Sequence, residues 1–201
     1  MGRREVAVAV GVVAVVLAAK GHLKVPAVQH GGSPATVTAD RSGYVDPLAG
    51  ERWVRDRIDQ GFDLQPVVPT PVRAIGSGVV VASTTQAGWP GGAWIAYKLT
   101  TGPKAGAVIY VAEHMTGLAR AGTRLRPGQT IATAWPGYPW TEWGYANCSG
   151  TGPVVPYDGA SDGTEMAGGK AFARFMRELG AWAAPDRNAE DPGPGPDFYR
   201  C

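Results

Sequence analysis

Glycine and proline punctuation decides most of what this chain can become. The sequence holds 29 glycines and 17 prolines in 201 residues. Between about Pro47 and Trp182 they separate apolar runs that read as strands far more readily than as stacked helices. Residues 71–75 lead through Gly76 and Gly78 into the valines 79–81, and residues 93–99 and 107–112 give two further strand signals. Residues 88–92 and 101–103 are loop signals between them, and residues 126–129 read as a turn before a strand at 130–133. Two helices are expected. Asp46 caps a short one running to about Asp56, with Trp53 and Val54 on its buried side. The other runs from about Glu165 to Leu179, where Phe172, Phe175, Met176 and Leu179 share a face and Gly180 stands where a C-cap glycine would. The expected class is mainly β: a small β-sandwich or barrel-like domain with a short N-terminal helix and a C-terminal helix.

The ends differ from the middle. Arg3 and Arg4 precede an unbroken apolar run of fourteen residues, 6–19, followed by Lys20. As a helix that run spans roughly 21 Å, short of a hydrocarbon core of about 30 Å. Residues 1–21 are therefore expected to be a signal peptide or, uncleaved, a membrane anchor. Residues 22–45 have linker composition, residues 46–184 form the β domain with its C-terminal helix, and residues 185–201 read as a disordered Pro/Gly tail. The expected location is secreted or at the cell envelope, with any membrane association through residues 6–19 alone.

Composition removes several functions. Nineteen basic side chains against seventeen acidic ones leave a formal charge of +2, with no long basic run, which argues against a nucleic-acid partner. The only histidines are His22, His30 and His114, and the only cysteines are Cys148 and Cys201. That set excludes a His-rich zinc site, a zinc finger and an iron–sulfur cluster. In an oxidising compartment Cys201 can pair with Cys148; an intermolecular bond is equally open.

Two phrases carry a family resemblance. The segment 59–63 (Asp-Gln-Gly-Phe-Asp), followed by 71–80 (Pro-Val-Arg-Ala-Ile-Gly-Ser-Gly-Val-Val), resembles the opening of lysostaphin-type zinc metallopeptidases. Residues 122–132, with Gly128-Gln129-Thr130-Ile131, resemble the stretch preceding that family's His-x-His strand, whose counterpart here is residues 142–146. The resemblance spans roughly residues 57–147 and implies a lysostaphin-type fold with peptidoglycan or another cell-wall glycan as partner. The phrases 57–61, 88–91 and 111–113 also resemble secreted actinobacterial proteins to which no activity is attached.

The departures matter more. The resemblance places the first metal-ligand position at Asp59, the second at Asp63 and the third at Gly144, where the family has histidine, aspartate and histidine. The first His of His-x-His falls on Glu142. A further family histidine falls on Glu113 or His114, depending on a shift of one residue. Zinc prefers nitrogen and sulfur, so no cofactor is expected. Asp59 and Asp63 remain metal candidates only for a hard ion such as calcium or magnesium.

Three functions compete on these residues. The favoured one is a non-catalytic envelope-binding or scaffolding module on a degenerate peptidase-like fold. Its expected ligand-binding residues are Asp59, Asp63, Glu142, Trp143, Trp89 and Arg57. The second is a wall hydrolase using the carboxylates, with Glu142, His114 and Glu113 as catalytic candidates. The third is an exported structural or assembly protein. If residues 59–63 are extended, Asp59 and Asp63 point to one face. Arg57 and Arg73 are candidate counter-charges, and Trp89, Trp94, Trp135, Tyr138, Trp140, Trp143 and Tyr145 include more aromatics than a small core needs.

Overall fold

The structure, a computed structural model, describes residues 38–86, 88, 92–181 and 199–201, all within the unit Pro34–Cys201. The expected signal segment, Trp89 and most of the expected tail lie outside the described residues. Among those described, the domain is mainly β and antiparallel throughout. One sheet has seven strands: β1 (Trp53–Ile58), β2 (Phe62–Pro66), β4 (Gly78–Thr84), β5 (Trp94–Leu99), β6 (Val108–Ala112), β8 (Arg124–Leu125) and β10 (Thr141–Tyr145). Their order is β1-β2-β10-β6-β5-β4-β8. A second sheet pairs β3 (Thr70–Arg73), β9 (Thr130–Ala134) and β7 (Met115–Thr116) in the order β3-β9-β7.

Period-two alternation sorts the seven-stranded sheet into two faces. Phe62 and Leu64, Ile95 and Tyr97, Ile109 and Val111, and Trp143 and Tyr145 enter one large apolar core. Val72, Ile131 and Ala132 reach that core from the second sheet, and Phe172, Phe175 and Met176 reach it from α1 (Ala167–Glu178). On the opposite face Trp94, Ala96, Val108, Tyr110 and Ala112 form a smaller cluster. There the Trp94 and Tyr110 rings stack 4.4 Å apart, and Trp94 Nε1 donates to the Gly150 carbonyl at 2.7 Å.

The C-terminal helix lies where its spacing put it, and Gly180 has the positive φ of 79° that ends such helices. The N-terminal helix is a correction. Asp46 does cap, with Oδ1 accepting from Leu48 N at 2.8 Å, but it caps an isolated turn. The chain then extends, because Trp53 and Arg55 alternate inward while Val54 faces solvent, 46% exposed. Tyr44 and Val45, at the end of the expected linker, are buried in this domain. At the other end, Cys148 and Cys201 form a disulfide. Cys201 N donates to Gly106 O at 3.0 Å, and Tyr199 lies edge-on to Tyr145. The last three residues of the expected tail are thus fastened to the β domain. Among the described residues no helix is long and apolar enough to cross a membrane.

Candidate functional site

The β1–β2 hairpin builds one wall of the site. Its turn is residues 59–61, closed by Asp59 N donating to Gly61 O at 3.0 Å, with Asp59 Oδ1 accepting from Gly61 N at 3.3 Å. Asp59 therefore sits in a tight turn, not in the extended segment that would place it on one face with Asp63. Gly61 cannot carry a side chain: a Cβ there would lie 2.6 Å from Trp143 O and 2.7 Å from the Tyr110 hydroxyl. Helix α1 braces the turn from outside. Met166 N donates to Asp59 O at 2.9 Å, and a Cβ on Gly169 would lie 2.2 Å from that same carbonyl. The glycine lets the helix seat directly against the turn.

Strand β10 supplies the next carboxylate. Glu142 stands opposite Asp63 in the β2 ladder and opposite Ala112 in the β6 ladder. The sheet thereby brings Asp59, Asp63 and Glu142 together, each offering an oxygen within 4.8 Å of the others. All three are buried, Asp59 completely and the others 4% exposed. Arg57 reaches over from β1. Its Nε lies 2.9 Å from both Asp59 Oδ2 and Asp63 Oδ2, and its Nη2 donates to Asp162 Oδ1 at 3.0 Å. Tyr157 donates its hydroxyl to Asp59 Oδ2 at 2.7 Å and accepts from Gly163 N at 3.0 Å. The Tyr110 hydroxyl donates to Glu142 Oε1.

Burial of so much negative charge raises proton affinity. Asp63 is pushed up to about 8, by loss of water first and by the Asp59 charge second, with Arg57 opposing. Glu142 is pushed up to about 9, again mainly by burial, then by Asp63 and Asp59. Arg57 is held charged by the acids around it despite partial burial.

Above the carboxylates opens a cleft of about 410 Å³. Asp63, Glu142, Arg57 and Glu113 line its polar side, and the rings of Tyr138 and Trp140, with Pro139 between them, line another part of it. Tyr138 is 84% exposed. Glu113 turns into this cleft through a left-handed backbone, φ 80°, uncommon for a residue with a side chain. Of the two neighbours left open by the sequence, Glu113 reaches the cleft. His114 is not among the lining residues, and its ring lies beside Gly137 instead.

Trp143 does not reach the cleft, contrary to the sequence expectation. Being adjacent to Glu142 on a strand, it points to the opposite face, where it is fully buried edge-on to Trp53. Arg73 is no counter-charge for the cluster either; its Nη2 pairs with Glu51 at 2.5 Å. Trp89 lies outside the described residues. The sequence reading missed Tyr110, Tyr157 and Asp162 as parts of the site. Tyr110 had a signal, since its place two residues before Ala112 in β6 sets it on the cleft face. Tyr157 and Asp162 sit in a loop with no period to read.

The donor set does not suit zinc. Its three members are carboxylates, and the third ligand position implied by the family resemblance, Gly144, has no side chain. A Cβ there would lie 2.5 Å from Tyr110 Cε1, so the phenol ring fills that space.

No protein-family model matches the sequence, and no curated protein matches it. Solved structures are similar to it. One is the antimicrobial peptidase lysostaphin from Staphylococcus simulans, at 14% identity and a TM-score of 0.47, over 79% of this chain and 61% of that one. A solution structure of lysostaphin gives 16% and 0.45, over 77% and 60%. A mutant of the catalytic domain of the prophage-encoded M23 protein EnpA from Enterococcus faecalis gives 20% and 0.40, over 57% and 96%. This chain thus spans about three fifths of the lysostaphin chains. What the site can do rests on its own residues.

Proposed function

We propose that this protein is an exported, non-catalytic module of the cell envelope that binds wall polymer in the cleft over Asp63 and Glu142. One observation carries the reading: the cleft joins a floor of buried carboxylates to a rim of exposed Tyr138 with half-buried Pro139 and Trp140. Ring faces pack on the apolar sides of sugars, and carboxyl groups hydrogen-bond hydroxyls and amides. Peptidoglycan or another wall glycan has both features. Residues 6–19 provide for export or anchoring, and no metal or nucleic acid is required.

The protonation pattern argues against the hydrolase. Acid–base catalysis on a polymer needs two groups whose environments push their proton affinities apart. Here burial pushes Asp63 and Glu142 the same way, so this pair is not divided into one acid and one base. Glu142 is also occupied by Tyr110.

The test is to incubate the full chain with insoluble wall sacculi and assay both phases. Retention on the sacculi without soluble fragments is the expected result. Release of soluble muropeptides would establish the hydrolase instead. Neither retention nor release would leave a structural or assembly role.

A further inference from the structure

The cluster of Asp59, Asp63 and Glu142 has the look of a cation site, yet a positive charge is already inside it. Arg57 Nε lies 2.9 Å from one oxygen of Asp59 and 2.9 Å from one oxygen of Asp63. A bridging hard cation would sit between the same two oxygens, at about 2.3–2.6 Å from each. The remaining room is also taken. Tyr110 stacks on Trp94, and its hydroxyl reaches Glu142 across the space beside Gly61 and Gly144. Both glycines are needed for this, because a Cβ on either would lie under 3 Å from Tyr110 atoms.

We infer that the Arg57 guanidinium and the Tyr110 phenol are a built-in replacement for a metal ion, the first supplying the bridging positive charge and the second filling the third ligand's place. The site is held in shape from within the chain and needs no ion to fold. Arg57 is a positioning residue in this scheme: it acts by fixing Asp59 and Asp63. Its second arm, through Asp162, ties the 157–164 loop to the same point. The inference rests on the cluster's geometry and stands apart from the wall-binding reading.

Removing the internal cation should therefore create an external cation site. The full chain and its Arg57→Gln and Arg57→Lys variants are titrated with calcium and with zinc, without wall polymer, and followed by thermal melting and by bound-metal stoichiometry. The parent should bind neither ion at millimolar concentration, and its melting temperature should ignore chelator. Arg57→Gln should melt lower, regain stability with a divalent ion, and bind it at least about tenfold more tightly than the parent. Arg57→Lys, which keeps a positive charge near the pair, should gain less than Arg57→Gln. One ion per parent chain would overturn the inference, as would an Arg57→Gln protein that folds but binds cations no better than the parent. If Arg57→Gln does not fold, the double variant Arg57→Gln/Asp63→Asn removes one charge of each sign. Recovery of the fold supports the counter-ion role, and failure to recover overturns it.

Discussion

The two faces of β10 are buried to the same degree and ordered by opposite means. Trp143 and Tyr145 face the core, with Trp143 edge-on to Trp53 at 6.4 Å and Tyr145 against Phe172 at 5.2 Å and Phe175 at 6.2 Å. Glu142 and Gly144 face the cleft, in a group with Asp59, Asp63, Arg57 and Tyr110. Apolar burial is favourable wherever it occurs and has little directional demand. Burying carboxylates is costly unless hydrogen bonds and counter-charges meet them. A fold that spends stability on one face of a strand while gaining it on the other is spending it at its site. The comparison makes separable predictions: changes on the core face should cost stability, and changes on the cleft face should alter ion pairing, pH response and binding.

The largest effect belongs to the core face. Trp143→Ala removes a fully buried ring and should cost about 3–5 kcal/mol, read from urea unfolding, while the protein that remains folded keeps its affinity for wall polymer. A selective loss of binding with unchanged stability would place Trp143 in the cleft and break the comparison. The disulfide comes next, since it fastens Tyr199 beside Tyr145. Cys148 and Cys201 are 53 residues apart, and Cys201→Ser should lower stability by about 2–4 kcal/mol. Urea midpoints of parent and variant under non-reducing conditions measure it.

These contrasts show what was legible beforehand. The strands beginning at Trp94 and Val108 and the C-terminal helix could be read because their periods are clean. The meeting of Asp63 with Glu142 followed from a family resemblance, since no local signal pairs residues so far apart. The short N-terminal helix failed because the cap at Asp46 is real but stops at one turn; alternating burial from Trp53 then outweighs helix propensity. For Trp143 the reason is simpler: an aromatic next to a site carboxylate on a strand faces the other way, so adjacency in sequence separates it from Glu142 across the sheet. Arg57 could be nominated but not preferred over Arg73, because the choice depends on which of the two stands over the hairpin turn.

The pH response should separate the two faces next. In the unfolded chain Asp63 and Glu142 titrate near their ordinary values, 3.8 and 4.5. Folded, they are pushed up to about 8 and about 9. Between those limits the folded state holds more protons than the unfolded state, so stability falls as pH rises. Their contribution is fully present below about pH 4 and is lost on passing through the folded values. Melting temperature should therefore decline from pH 5 to pH 9. Glu142→Gln, which cannot ionise, should flatten that decline, whereas a core-face change should shift the whole curve without altering its slope. A parent curve that rises over this range would remove the electrostatic half of the comparison.

The smallest effect on stability is the most telling for function. Tyr138 is the most exposed part of the cleft's rim, so Tyr138→Ala should leave stability within about 0.5 kcal/mol. If the ring packs on a sugar face, its loss should weaken wall binding by about 0.5–1.5 kcal/mol, roughly two- to twelvefold in Kd. Trp135 provides the control. It is half exposed like a platform residue, 42%, but its Nε1 is committed to Thr116 Oγ1 at 2.9 Å and it does not line the cleft. Trp135→Ala should therefore leave the sedimentation assay with sacculi unchanged. Equal losses from Tyr138→Ala and Trp135→Ala would mean that wall polymer adheres to any exposed ring, and the cleft would then have no claim as the binding site. A loss confined to Tyr138 ties binding to the cleft face, because that ring contributes nothing to the core that Trp143 holds together.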